Sequence, residues 1–279
     1  MYRLSSYIFS ISIVCFSLYS FSSAKDHDWD ILIFTQHWPL TVCLQWKEQL
    51  PQHSCLLPRK NAWTVHGIWP TKLGTKGPLF CNNSLHFNET QLVPIEVELE
   101  QYWADVHNSS GTIYQLWKHE WKKHGTCAVS LPALDSESKY FGQGLKWIKD
   151  YDMDGILSKS GIQPNANYTP QEVWSAVQKT LGKDPAVQCI VDPKTKVSYL
   201  FEIRICFDKN LTLVDCDGIR EHEEAPGMKT NCPNRNLTYP AFLPPTQSVE
   251  PIDLGPSHDQ RLWMLEGLRI VQFLQWMTF

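Results

Sequence analysis

Eight cysteines constrain this chain more than any other feature. Nine occur in 279 residues, and Cys15 lies in an opening segment with the pattern of a secretory leader. Met1-Tyr2-Arg3 is a short positive start, residues 4–21 are mostly apolar or hydroxyl-bearing, and Ser22-Ser23-Ala24 closes with small residues. A signal peptide over residues 1–24 is therefore expected, and the serines that interrupt its apolar run argue against a retained membrane anchor. The other eight are Cys43, Cys55, Cys81, Cys127, Cys189, Cys206, Cys216 and Cys232. An even set in a secreted chain implies four disulfides. No Cys-x-x-Cys pair is present, which argues against a zinc ribbon or a redox motif. Pairings on the order of a hundred stay open for eight cysteines. Cys206 and Cys216 flank an expected hairpin and are placed to pair across it.

Six Asn-x-Ser/Thr sequons, at Asn82, Asn88, Asn108, Asn167, Asn210 and Asn236, fit the same secretory route and mark expected surface loops. The formal charge is −4, and it becomes −5 without the leader, whose one charged residue is Arg3. A mildly acidic protein is no general polyanion binder, so any positive charge offered to nucleic acid must be local.

Along the chain, Asp30–Thr35 is a β-prone apolar run, and Trp63–Pro70 reads as a strand with His66 between two tryptophans. Gly67 beside that histidine lets another group approach the backbone closely. Helices are expected over Glu96–Trp103, Ile113–Lys123, Glu137–Lys159 and from Thr169 to about Leu181, the last with a capping box and proline at its first position. Residues 71–94, and the polar stretch between Cys43 and Cys55, read as loop. Val197–Phe207 reads as a strand with Tyr199, Phe201, Ile203 and Ile205 on one face, returning through Leu211–Cys216. Four prolines between Pro244 and Pro256 mark a linker, and Arg261–Phe279 is an apolar tail too short and interrupted to span a bilayer.

Chemistry concentrates in His119-Glu120-Trp121-Lys122-Lys123-His124-Gly125. At about 100° per residue on an α-helix, Glu120, Lys123 and His124 share a face, and His119 points about 140° away from His124. Taken alone, such a Lys-rich turn is as often a solvated face. A zinc-protease reading needs histidines four apart, whereas here they are five apart and Lys123 holds the required position. No metal and no cofactor are therefore expected. Together His66 and His124 supply the two proton-transfer groups that metal-free RNA cleavage needs. Lys123 and Glu120 suit a pentacoordinate phosphorus centre between them, and Trp69 offers a flat ring for a base.

Trp63–Pro70 and His119–Cys127 resemble the two signature segments of the ribonuclease T2 family, secreted or lysosomal endoribonucleases. Gln36-His37-Trp38-Pro39 with Cys43, Tyr140-Phe141-Gly142, Gly161-Ile162-Gln163-Pro164 and the Cys189–Cys216 region extend the resemblance over roughly residues 28–240. The resemblance implies an α+β fold with an antiparallel β-sheet core flanked by helices. It makes residues 25–243 the catalytic domain and leaves 244–279 as a linker and divergent tail. His66 and His124 match the acid–base pair, Glu120 and Lys123 the transition-state stabilisers, His119 a phosphate-binding position and Trp69 a base-stacking one. It implies the pairs Cys43–Cys55, Cys81–Cys127, Cys189–Cys232 and Cys206–Cys216. The expected partner is single-stranded RNA, cut by a monomer to 2′,3′-cyclic phosphate and then to 3′-phosphate ends, with an acidic optimum. Thr71 stands where several members carry an aspartate that contacts the base. The competing class is a secreted glycoprotein that acts by binding, with a dead or incidental nuclease site.

Overall fold

The computed structural model describes residues 28–58, 62–107, 112–220, 223–225 and 228–243. The expected leader, the Asn108 sequon with its turn, and the tail from 244 lie outside the described residues.

Three long strands build the floor. β1 (Ile31–His37) lies between β2 (Thr64–Thr71) and β5 (Ser198–Phe207), antiparallel to both. Every residue of all three strands is buried, so both faces of this part of the sheet are covered, and β5 packs on both sides rather than on one. Beyond β5 come β4 (Ala186–Val191), β8 (Met228–Thr230) and β7 (Glu223–Ala225). The short strands β3 (Ala166–Tyr168), β6 (Leu213–Val214) and β9 (Leu237–Tyr239) complete nine. The sheet is largely antiparallel, as expected, but β4–β8 and β5–β9 pair parallel over two residues each.

Helices cover the sheet. α5 (Glu137–Asp150) buries Tyr140, Phe141, Leu145, Trp147 and Ile148, with Trp147 stacked 3.8 Å from Phe207 of β5. The single helical region expected over 137–159 breaks at Tyr151-Asp152. Tyr151 turns edge-on to Phe207 at 5.4 Å, and a second helix, α6 (Met153–Ser158), restarts after Asp152. α7 (Pro170–Leu181) has the expected capping box between Thr169 and Glu172, and Gly182 ends it at φ 68°. α1 (Pro39–Gln49) was not anticipated: Pro39 breaks the strand but also serves as a helix first residue, where its missing N–H costs nothing. α2 (Glu96–Tyr102) follows two 3₁₀ turns. Nine of the ten described tryptophans are buried, which lets aromatic area fill the space between sheet and helices.

All four disulfides join the expected partners: Cys43–Cys55, Cys81–Cys127, Cys189–Cys232 and Cys206–Cys216. No helix among the described residues is long and apolar enough to cross a membrane. The five described sequon asparagines, Asn82, Asn88, Asn167, Asn210 and Asn236, are all exposed.

Candidate active site

Both central histidines sit where regular structure is interrupted. On β2, Thr35 faces Gly67 and Gln36 faces Val65, which leaves His66 as the extra residue of a β-bulge. A bulge frees backbone groups and re-aims a side chain. The freed carbonyl of His66 accepts the indole N–H of Trp103 at 2.9 Å, and the Ile68 carbonyl accepts the Tyr140 hydroxyl at 2.8 Å. The bulge is thus held by two aromatic donors from outside the sheet.

The other histidine lies on a widened turn. Helix α3 (Gln115–Glu120) passes into a π-turn over Trp121–Gly125, and α4 (Thr126–Ala128) finishes it. The single α-helix expected over Ile113–Lys123 is therefore corrected, and with it the 100°-per-residue placement of these side chains. A π-turn hydrogen-bonds five residues on, and such turns occur often at functional sites. The grouping survives the correction. Glu120, Lys123 and His124 are all buried, while His119 is half-buried. Two links fix the turn to the preceding loop: Phe80 N donates to the Lys123 carbonyl at 2.9 Å, and Cys81 is bonded to Cys127.

Trp69 joins the two halves. Its ring lies 5.1 Å from that of His66, edge-on, and 5.4 Å from that of His124. Its indole N–H donates to Glu120 Oε2 at 3.0 Å, while Glu120 Oε1 stands 3.9 Å from His66 Nε2. Gly67 makes this possible: a Cβ there would lie 2.1 Å from Glu120 Oε2 and 2.2 Å from Trp69 Nε1. Trp69 is 6% exposed, so much of its ring is already covered. Thr71 turns its hydroxyl to the Trp69 carbonyl at 3.0 Å.

The surroundings push the two imidazoles apart in proton affinity. Burial opposes charge on His66, but the Glu202 carboxylate bonded to its Nδ1 at 2.6 Å, with help from Glu120, raises its pKa above 6.5. Burial drives His124 well below 6.5, and the Lys123, His119 and His66 charges add to that. Both ring nitrogens of His124 are buried with no hydrogen-bond partner among the described residues. Burial lowers His119 to about 4 and Lys123 to about 8, so Lys123 keeps its charge through acidic and neutral pH. Burial raises Glu120, which favours a protonated carboxyl able to donate a hydrogen bond.

Sequence reasoning missed Glu202 and Arg204 and assigned no site role to His37. The signal was present as two opposite charges two residues apart in an otherwise apolar strand. His37 stacks on His66 with centroids 5.3 Å apart. Ligand atoms of His37, His66 and Glu202 lie within 4.8 Å of one another, the spacing of a possible metal group. Glu202, however, is committed to His66 through one oxygen and to the Arg204 guanidinium through the other, and a guanidinium repels a cation. The donor set therefore fits a hydrogen-bonded cluster better than a metal centre. A cavity of about 280 Å³ is lined by Leu56, Leu57, Asp105, His107, Ile113 and Trp117 among others, none of them a member of the cluster around His66. Trp117 donates to the Trp103 carbonyl at 2.7 Å, which ties the cavity wall to the indole that holds the His66 bulge. Burial raises Asp105 to about 6 and lowers His107 to about 4.

Comparison with known proteins places this arrangement. The family model described as the ribonuclease T2 family matches residues 29–216. Ribonuclease Oy of Magallana gigas is 39% identical over 223 residues, covering 78% of this chain and 97% of its own. The crystal structure of human RNase T2 superposes with a TM-score of 0.60 at 33% identity, over 76% of this chain and 98% of that one. RNase MC1 from bitter gourd seeds, solved also as a mutant complex with 5′-UMP, superposes with a TM-score of 0.63 at 30% identity, over 76% and 100%. The chain belongs to the ribonuclease T2 family.

Proposed function

We propose that this chain, a T2-type endoribonuclease by family, cuts single-stranded RNA by transphosphorylation, with His124 as base and His66 as acid. The observation that carries the assignment is the contrast between the two imidazoles. His124 is buried, held neutral and, among the described residues, without a partner on either ring nitrogen, as a proton acceptor should be. His66 is backed by a carboxylate that favours its charged form, as a proton donor should be.

In the first step His124 takes the 2′-hydroxyl proton and the 2′-oxygen attacks phosphorus. Lys123 and a protonated Glu120 stabilise the charge that builds on the non-bridging oxygens. His66 gives its proton to the departing 5′-oxygen, leaving a 2′,3′-cyclic phosphate. Hydrolysis runs the roles in reverse: His66 takes a proton from water, the water oxygen attacks phosphorus, and His124 returns a proton to the 2′-oxygen. His119, half-buried at the rim, suits a contact to a phosphate, whose negative charge would offset the burial that keeps it neutral. The cavity between Leu56 and Ile113 suits a base, with apolar walls and the polar groups of Asp105 and His107 in its lining. Trp69 gives its indole N–H to Glu120, which supports a positioning role beside the expected base contact.

Secretion with removal of residues 1–24, and glycans on the exposed sequons, complete the proposal. The test is cleavage of single-stranded RNA in EDTA by the parent and by His66→Ala and His124→Ala. Each variant should lose about 10³-fold or more, within the usual range for a lost acid or base, and parent products should carry 2′,3′-cyclic phosphate. A folded parent that does not cut, or variants that cut as well as it does, would return the chain to the class of binding glycoproteins.

A further inference from the structure

Three contacts fix the His66 ring, and one of them is directional. Glu202 Oε1 accepts from Nδ1 at 2.6 Å. Glu202 cannot easily turn away, because its other oxygen accepts from Arg204 Nε at 3.1 Å and from Nη2 at 2.8 Å. Glu202 and Arg204 are two apart on β5, opposite His37 and Thr35 of β1, so one strand face presents both. His37 covers one face of the His66 ring and Trp69 abuts it edge-on.

A carboxylate on Nδ1 requires the proton to be there, because Glu202 is held in its ionised, acceptor-only form between two cations. Nε2 is then the only nitrogen of His66 that can gain or lose a proton. Nε2 is also the nitrogen that faces Glu120, 3.9 Å away, on the side of the π-turn. We propose that Glu202, clamped by Arg204, is the positioning residue of His66: it fixes the Nδ1–H tautomer and aims Nε2 at the reacting oxygens. The inference rests on His66 being the acid of the reaction, and extends that reading to a carboxylate–imidazole pair built into β5.

Other charged groups act on the same ring. Arg204 of β5 opposes its charge, and Glu120, on the side of the π-turn, favours it. The charge on His66 in turn lowers the proton affinity of His37 of β1, of His119 and His124, of His107 in the cavity loop and of Asp105. Glu202 bonds the ring directly.

Glu202→Gln keeps the shape and an acceptor oxygen but removes the charge. It should lower kcat roughly 100-fold, the scale of a mis-set reacting group, with KM changed less than about threefold. The alkaline limb of the pH–rate profile should move to lower pH, because His66 then loses its proton sooner. Glu202→Gln/Arg204→Gln repeats the test without a buried unpaired guanidinium, should the single variant fold poorly. In the free parent, ¹⁵N shifts of His66 should show Nδ1 protonated across the titration and Nε2 titrating, and the His66 pKa should fall in either variant. A folded variant with parental kcat and an unmoved alkaline limb overturns the proposal, as does a parent in which Nε2 carries the proton of neutral His66. The two readings separate cleanly. RNA cleavage that survives His66→Ala removes the acid role, while the tautomer still reports on Glu202.

Discussion

His66 and His124 reach one site from two kinds of irregularity, and the contrast bears on how one residue type would fill the two proposed roles. His66 sits on a β-bulge with a clamped carboxylate behind it and aromatic donors pinning its backbone. His124 sits on a π-turn beside the Lys123 ammonium, and no described residue bonds to its ring. Both are almost fully buried, so burial alone would make both neutral. Glu202 reverses that outcome for one and not for the other. On the proposed mechanism, the division of labour lies in the partners of the imidazoles, and not in the imidazoles.

The contrast between the two halves of the site can be broken at several points. Removing the Cys81–Cys127 bond by a paired Cys→Ala change frees the π-turn from its loop. The closed segment of 46 residues predicts a loss of about 3–4 kcal/mol, or a melting temperature lower by roughly 10 °C. Thermal unfolding measures this, and an unchanged melting point would show that the Phe80–Lys123 hydrogen bond suffices. Gly67→Ala pushes a methyl into the space shared by Glu120 and Trp69. Activity should fall about 100-fold while the protein stays folded, because the two halves of the site can no longer approach. Near-parental turnover in that variant would mean the contact is not needed. Trp69→Phe keeps a ring between the histidines but removes the donor to Glu120. A loss near tenfold in kcat, worth about 1.4 kcal/mol, is expected for one buried hydrogen bond. A rise confined to KM would instead assign Trp69 to base stacking.

Much of this molecule was legible in its residues. The clustering of His66, Glu120, Lys123 and His124 could be read because histidine, lysine and glutamate are costly to bury together, and two such motifs in one cysteine-rich chain leave few readings. Gly67 could be read because a glycine beside a histidine in a strand has one common purpose, close approach. The π-turn could not be read, since its extra residue leaves no mark in α-helical periodicity. The β-bulge was hidden for the same reason: alternation in Thr64–Thr71 is lost where every residue is buried. Glu202 and Arg204 were visible as charges in an apolar strand, yet pairing Glu202 with His66 required the register of β5 against β1 and β2, a contact 136 residues apart. Helix α1 and the break at Tyr151-Asp152 were missed because proline and aspartate signal both an ending and a beginning.

The pH dependence follows from the same contrast. Below its free value of 6.5 an ordinary histidine gains charge; His124 resists this, so kcat/KM holds into acid and falls only once His124 is protonated. On the alkaline side the rate falls as His66 gives up its proton above 6.5 and as Lys123 loses its charge at about 8. The result is a bell that reaches to both sides of 6.5. The most direct test is a titration of His66 and His124 in the free protein, followed by ring ¹⁵N or ¹³C shifts with each assigned through its alanine variant. The account predicts His66 titrating above 6.5 and His124 well below it. If both titrate together, or His124 holds its proton to the higher pH, the division into acid and base described here is wrong.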